Sequence, residues 1–239
     1  MKSIVIIPTY NEKENIKKII SKILDLGLGI NVLIVDDNSP DGTGRIVDGL
    51  AQKFKNKIFV LHRQEKNGLG KAYIAGFKWA LAKKYDVIMQ MDADFSHDPE
   101  YLKIFLKDII ENDLVIGSRY VKNGGTKGWG VGRKMISRGG SLYSKIILGV
   151  PMNDLTGGFK CWRADLLEKI ELDSVISNGY SFQIEMNYRA ATLRRKIKEV
   201  PIIFVDRTVG KSKMNKKIIL EALWKVWMLR LGNKSWLKK

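Results

Sequence analysis

Short unbroken apolar runs alternate along this chain with longer stretches in which apolar residues return every three or four positions. Ile4–Ile7 is such a run, closed by Pro8, and Val32–Val35 stops at Asp36-Asp37. Ile58–Leu61, Val87–Met91 and Leu114–Gly117 are the others. Continuous apolar runs of this length predict strands buried on both faces. Between them, Ile16, Ile19, Ile20, Ile23 and Leu24 keep helical spacing, as do Ile46, Val47, Leu50 and Phe54. Asn11 with Glu14 has the form of a capping box for the first helix, and Asp41-Gly42-Thr43 opens the second. Leu69–Lys83 and Pro99–Asn112 complete four predicted helices, with Pro99 suited to a helix start.

Alternation of this kind predicts an α/β fold, a mostly parallel sheet covered by helices on both faces. Ligands of such sheets bind at the carboxyl ends of the strands. Pro8-Thr9-Tyr10, Asp36-Asp37, Asp92-Ala93-Asp94 and Ser118-Arg119 stand at those ends, so four strands are expected to converge on one site. After Arg119 the alternation stops. Five glycines around Trp129 in residues 120–132 read as a mobile flap, and a basic helix is expected from Arg133 to Leu148.

Composition narrows the class. The 239 residues are 45% apolar, which suits a folded domain and excludes disorder. Cys161 is the only cysteine, which excludes a disulfide framework or multi-cysteine metal cluster and favours a reducing compartment. Pro8 comes too soon for a signal-peptide apolar region, and no uncharged run approaches the ~20 residues that span a bilayer. A soluble or peripheral protein is therefore expected.

The net charge of +17 is unevenly placed. Residues 1–118 hold 17 basic and 16 acidic side chains, and residues 154–206 hold eight of each. Residues 119–153 hold seven basic groups and no acid, and residues 207–239 hold ten against Glu221 alone. A near-neutral body with two cationic segments suits phosphates, nucleic acid or an anionic membrane face. No nucleic-acid motif accompanies the charge, so nucleic acid is not expected as a partner.

Asp92-Ala93-Asp94 is the sharpest local signal. Two carboxylates at a strand end suit Mg²⁺ or Mn²⁺, with substrate phosphates and water completing the sphere; a solvated turn is the plainer reading. His97 reads as a turn residue beside them or as a ligand. Gly68-Leu69-Gly70-Lys71 fails as a phosphate loop, because Glu65 and Ala72 stand where glycine and a hydroxyl are needed. Near the end, Ile218–Leu231 is apolar except for Glu221, Lys225 and Arg230. As a helix it is roughly 21 Å long, too short to cross a bilayer. Trp224, Trp227 and Trp236 among lysines suit the headgroup zone, and docking on the body is the other reading.

Assembled, these residues resemble the dolichol- and polyprenol-phosphate mannose synthases of glycosyltransferase family 2. The marks are Pro8–Glu12, Val35–Thr43, Gly68–Gly70, Asp92–Asp94, Gly117–Tyr120, Arg133–Gly139, Asp154–Phe159 and Gly179–Phe182. Arg133–Gly139 and the Asp-Leu-Thr-Gly start of Asp154–Phe159 are much more particular to the polyprenol-phosphate group than the strand-end Asp92–Asp94, which is general to the superfamily. The resemblance runs from Ile4 to about Lys213. It implies a GT-A catalytic domain over 1–213, followed over 214–239 by an amphipathic membrane-interface helix and basic tail. It implies that Pro8, Tyr10, Glu12, Val35 and Asp37 cradle the nucleotide of GDP-mannose. Asp92, Ala93 and Asp94 meet the sugar diphosphate, with Asp94 the main ligand of Mg²⁺ or Mn²⁺, Asp92 a second, and the Ser96 hydroxyl or a water serving where some relatives place a glutamine ligand. Arg119, Arg207 and Lys213 match positions that hold the donor phosphates; Arg133 and Ser137 match those for the phosphate of the dolichyl or polyprenyl acceptor. The implied activity is inverting mannosyl transfer, with Asp92, Asp94, Arg119 and Arg133 as the catalytic set. A UDP-glucose donor and a non-catalytic basic binding module are the alternatives. The implied place is the cytoplasmic face of a membrane, peripheral on its anionic surface, with or without an integral membrane partner.

Overall fold

Successive residues of a strand point to opposite faces, and the first run shows the result. Ile4 and Ile6 enter one apolar cluster and Val5 and Ile7 another, all fully buried. Burying each such side chain contributes about 1.5–3 kcal/mol. The computed structural model describes residues 1–206 and 216–232. Its first half follows the predicted alternation: β1 (Ser3–Thr9), α1 (Ile16–Asp25), β2 (Asn31–Asp36), α2 (Thr43–Lys53), β3 (Ile58–His62), α3 (Leu69–Ala82), β4 (Val87–Gln90), α4 (Tyr101–Asp108) and β5 (Leu114–Ser118). The second half is more irregular: β6 (Gly125–Lys127), α5 (Val131–Leu148), β7 (Lys160–Arg163), α6 (Ala164–Lys169), α7 (Gly179–Thr192), β8 (Ile197–Pro201), β9 (Ile203–Val205) and α8 (Lys216–Leu231).

Seven strands form the main sheet in the order β3-β2-β1-β4-β7-β5-β8. Strand order reverses between β1 and β4, which opens a crevice at their carboxyl ends. Helices α1, α2 and α4 cover one face of the sheet, and α3, α5, α6, α7 and α8 supply the other cluster. α3 packs tightly on β1. A Cβ on Gly76 would stand 2.6 Å from Ile6 Cγ2, so only glycine permits this approach.

The sheet is mostly parallel, as expected; β7 runs antiparallel to both β4 and β5 and separates them. Two expectations need correction. The capping box is not formed, because Asn11 takes φ 61 and α1 begins only at Ile16. There Asn15 is the cap residue, and the backbone N–H groups of Asn15 and Ile16 both donate to the Glu12 carbonyl. The glycine-rich segment is also more ordered than a flap. β6 pairs in parallel with β9, and Trp129 is 8% exposed, edge-on to Phe204. Pairing and aromatic burial hold a stretch that its glycines alone would leave loose.

α8 lies against α5 and α7, with Val226 and Leu229 buried in the body's own cluster. Trp224, Trp227, Met228 and Leu231 remain exposed on its other side. Among the described residues no helix is long and apolar enough to cross a membrane.

Candidate active site

A cavity of about 450 Å³ opens at the carboxyl ends of β1, β2 and β4, a size ordinary for small-molecule sites. Its walls include Pro8, Tyr10 and Glu12 after β1, Asp37 after β2, and Asp92, Ala93 and Asp94 after β4. Three of the four expected strand ends therefore converge. The fourth, Ser118-Arg119, stands one strand further away because β7 separates β4 from β5. Val35 pairs with Pro8 in register while its side chain is buried in the core.

On the β1–β2 side, the loop is braced by Asp36. Its carboxylate accepts hydrogen bonds from Thr9 Oγ1 at 2.8 Å and from the Ser39 N–H and hydroxyl at 3.0 and 2.6 Å. Asp37 accepts one from Arg63 at 2.6 Å. Burial nevertheless lifts the Asp37 carboxyl above its usual range, against the pull of Arg63. Lys66 Nζ sits 3.7 Å over the Tyr10 ring, and both line the cavity.

On the β4 side, the paired aspartates are held from beneath. The Ser96 hydroxyl donates to Asp94 Oδ1 at 2.5 Å and its N–H donates to the same oxygen at 3.1 Å. Ser96 is itself buried, so the structure places it as a support of Asp94. Tyr73 donates its hydroxyl proton to Asp92 Oδ1 at 3.3 Å. His97 is buried against Phe159, and its Nδ1 accepts the Asp92 N–H at 3.2 Å. Burial holds the imidazole below its ordinary pKa despite the aspartates nearby, which keeps it a neutral acceptor. Phe95 takes φ 61, a left-handed conformation costly for a bulky residue, at the turn that aims Asp94.

Behind this wall lies a buried ion pair. Arg119 donates from Nε to Asp154 Oδ2 and from Nη2 to Asp154 Oδ1, each at 2.7 Å, and from Nη2 to Thr156 Oγ1 at 2.8 Å. Thr156 is a cavity wall and Arg119 is not. Burial alone would raise Asp154, but the guanidinium and the N–H groups of Arg119 and Gly157 outweigh it and hold the carboxyl below its usual value. Arg119 also lies 5.4 Å from the Trp129 ring, and Arg133 stacks on that ring at 4.0 Å while donating to Asp206 at 2.8 Å. Ser137, facing the same region from α5, accepts the Tyr120 hydroxyl proton at 2.7 Å. Arg207 and Lys213 lie outside the described residues.

Several walls carry no role in the sequence reading: Lys66, Thr156, Gly158, Asn178, Ser181 and Gln183. The motifs Asp154–Phe159 and Gly179–Phe182 contain Thr156, Gly158 and Ser181 and are flanked by Asn178 and Gln183; Lys66 had no signal.

Chemically, the cavity walls present four carboxyl side chains, Glu12, Asp37, Asp92 and Asp94, against one ammonium, Lys66. A diphosphate entering there needs a cation beside it. Among the described residues no three metal-ligating side chains cluster. Two carboxylates with a phosphate and water are the donor set that Mg²⁺ or Mn²⁺ takes, so Asp92 and Asp94 fit such an ion.

The sheet order, the crevice at its reversal and the paired strand-end aspartates define a glycosyltransferase of GT-A architecture. The chain belongs to glycosyl transferase family 2, whose model matches residues 4–171. It is 48% identical to undecaprenyl-phosphate mannosyltransferase of Micrococcus luteus, over 93% of this chain and 91% of that one. It is 44% identical to polyprenol monophosphomannose synthase of Mycolicibacterium smegmatis, over 96% and 88% respectively. Among solved structures, glucosyl-3-phosphoglycerate synthase from Mycobacterium tuberculosis, in complex with Mn²⁺, UDP and glucosyl-3-phosphoglycerate, superposes with a TM-score of 0.69 at 17% identity. That likeness covers 97% of this chain and 80% of that one, and it bears on the fold alone.

Proposed function

We propose that this glycosyltransferase moves mannose from GDP-mannose to the phosphate of a polyprenyl or dolichyl lipid, with inversion at the anomeric carbon. The observation that carries the reading is the acidic strand-end cavity lying next to an acid-free cationic helix, in a chain so similar to polyprenyl-phosphate mannosyltransferases. Pro8, Tyr10, Glu12 and Asp37 receive the nucleoside end, with Val35 supporting them from the core. Asp92, Ala93 and Asp94 receive the sugar diphosphate, and Asp94 and Asp92 hold a divalent cation. That cation, when bound, supplies Lewis-acid stabilisation of the departing diphosphate.

The acceptor phosphate has a second pKa of about 6 and is already ionised at neutral pH. No general base is required of the protein. What the chain must supply is relief of repulsion between two anions. Arg133, held by Asp206, exchanges that carboxylate for the incoming phosphate, with Ser137 beside it on α5. Arg119 acts from behind: its fork on Asp154 keeps Thr156 and the cavity wall in place. Arg207 and Lys213 remain proposed for the donor phosphates on sequence grounds.

The lipid end is expected to enter from a membrane surface. Val131, Met135, Leu142 and Ile146 are all exposed and recur on one side of α5, beside Lys134 and Arg138. With Trp224, Trp227, Met228 and Leu231 of α8 they give the protein apolar groups ringed by cations, suited to an anionic leaflet. On this reading the enzyme works peripherally on the cytoplasmic face, with α8 as part of the contact.

The test is incubation of the protein with radiolabelled GDP-mannose, polyprenyl phosphate and Mg²⁺, followed by solvent extraction. Label in the lipid phase, dependent on all three, is the expected result. Label transferred from UDP-glucose instead overturns the donor, and no labelled lipid with either donor overturns the transfer itself. Flotation with anionic vesicles tests the membrane contact, and a chain that stays with the soluble fraction at low salt refutes it.

A further inference from the structure

We infer that Gln183 sets hexose specificity by donating a hydrogen bond from Nε2 to a hydroxyl of the transferred sugar, whose own proton goes to Asp92. The inference rests on the reading of the cavity as a nucleotide-sugar site.

The orientation of the Gln183 amide follows from its neighbours. The Trp162 indole N–H can only donate, and it does so to Gln90 Oε1 at 2.8 Å. Gln90 Nε2 is thereby turned toward Gln183, where Oε1 accepts at 3.0 Å. Lys160 Nζ, fully buried, donates to the same Oε1 at 2.7 Å and to the Gln183 carbonyl at 3.3 Å. Two donors from two strands thus capture the amide oxygen. The amide nitrogen must face the other way.

On that other side Gln183 is a cavity wall, 2% exposed, and its Nε2 has no partner among the described residues. A buried N–H without an acceptor lowers stability, and a site built around one selects ligands that satisfy it. The space it faces is kept by Gly158. A methyl added there would stand 3.4 Å from Gln183 Nε2, 3.7 Å from His97 Cε1 and 3.8 Å from Asp92 Oδ1. One donor and one carboxylate therefore flank a methyl-sized space.

That pairing chooses the ligand group. A phosphate oxygen could accept from Nε2 but would be repelled by Asp92. A hydroxyl accepts from Nε2 and donates to Asp92 at once. The hydroxyl belongs to the hexose rather than the ribose, because Tyr10, Glu12 and Asp37 occupy the opposite, β1–β2 side of the cavity.

The test uses the full chain carrying Gln183→Glu, which keeps an oxygen for Lys160 and Gln90 but replaces the donor with an acceptor. A thermal melt checks its fold, and a Lys160→Met/Gln183→Met double variant, which removes both ends of the contact, serves if the single one does not fold. Affinity is measured for GDP and for GDP-mannose. The expected result is a ten- to hundredfold loss for GDP-mannose with GDP unchanged within twofold. In addition, one of the 2-, 3-, 4- and 6-deoxymannose donors should bind the wild type as poorly as mannose binds the variant. Equal losses for GDP and GDP-mannose, or no loss for either, overturn the inference. Should the wild type use UDP-glucose and not GDP-mannose, the donor reading fails separately, and UDP against UDP-glucose decides the role of Gln183 by the same criterion.

Discussion

Arg119 grips both carboxylate oxygens of Asp154 at 2.7 Å, with Asp154 fully buried and Arg119 nearly so. A pair this deeply buried gains little over apolar replacements, but breaking one half leaves a charge stranded. Asp154→Asn should therefore cost about 3–5 kcal/mol, read as a lower midpoint in urea. The carboxyl is held below its unfolded value, so it contributes stability above the unfolded pKa and loses it as pH falls through the lowered one. Wild type should pull ahead of the asparagine variant as pH rises from strong acid. A gap that ignores acid would contradict the pairing.

Lys160 gives a slope of the same sign at higher pH, from a burial penalty that is relieved. Burial lowers its pKa from 10.5 to about 7, with Asp154 pulling it back up and Arg119 adding to the fall. Between those values the unfolded chain holds the proton that the folded chain has released, so stability rises with pH across that window. Relative to Lys160→Met, the wild type should gain up to about 1.4 kcal/mol per pH unit above pH 7. Parallel denaturation of the two proteins at pH 7, 8 and 9 measures it. A constant difference would mean that Lys160 is not buried as an amine.

Two glycines should respond in different ways to the same methyl group. At Gly76 the new Cβ meets Ile6 Cγ2 at 2.6 Å, and α3 must lift from β1, for about 1–3 kcal/mol of lost stability. At Gly158 the contacts begin at 3.4 Å, ordinary packing distance, and the methyl fills the cavity instead. Gly158→Ala should melt like the wild type but bind nucleotide-sugar at least tenfold more weakly. Equal melting temperatures for both variants would undo the contrast.

Ser96→Ala removes the 2.5 Å bond that aims Asp94. Groups that orient a metal ligand are typically worth 10–100-fold in metal affinity or activity. We expect the Mg²⁺ concentration for half-maximal turnover to rise by about tenfold, whereas Asp94→Asn should abolish turnover at any Mg²⁺. An unchanged Mg²⁺ requirement in Ser96→Ala would remove the assigned support role.

The parts of the fold that could be read from the chain are those where burial writes a continuous pattern. Ile4–Ile7 and Val32–Val35 sit between two helical layers, so every position is apolar. β7 escaped because its four residues are Lys160-Cys161-Trp162-Arg163, and a lysine in a strand reads as exposed until Gln183 is seen to meet it. α7 escaped for a similar reason. Glu185, Asn187 and Arg189 are all buried, and the Glu185–Arg189 pair at 2.6 Å is satisfied within the core, so no apolar face stands out. The aspartates of the site were legible because strand ends collect ligands. Thr156 and Gly158 were visible only as part of a family motif and Gln183 only as the residue after one, since their purpose depends on which strand lies beside β4.

The reversed strand has a practical consequence for anyone reshaping this protein. Lys160 opens β7 opposite Gln90, where β4 ends, so the segment entering β7 rather than the one leaving it lines the cavity. Its exit at Arg163–Ala164 turns back beside Asp86, at the far rim. Residues grafted just ahead of Lys160 would therefore retune which sugar is accepted. A tag or sensor spliced in beyond Arg163 would ride on the opposite pole and leave turnover alone.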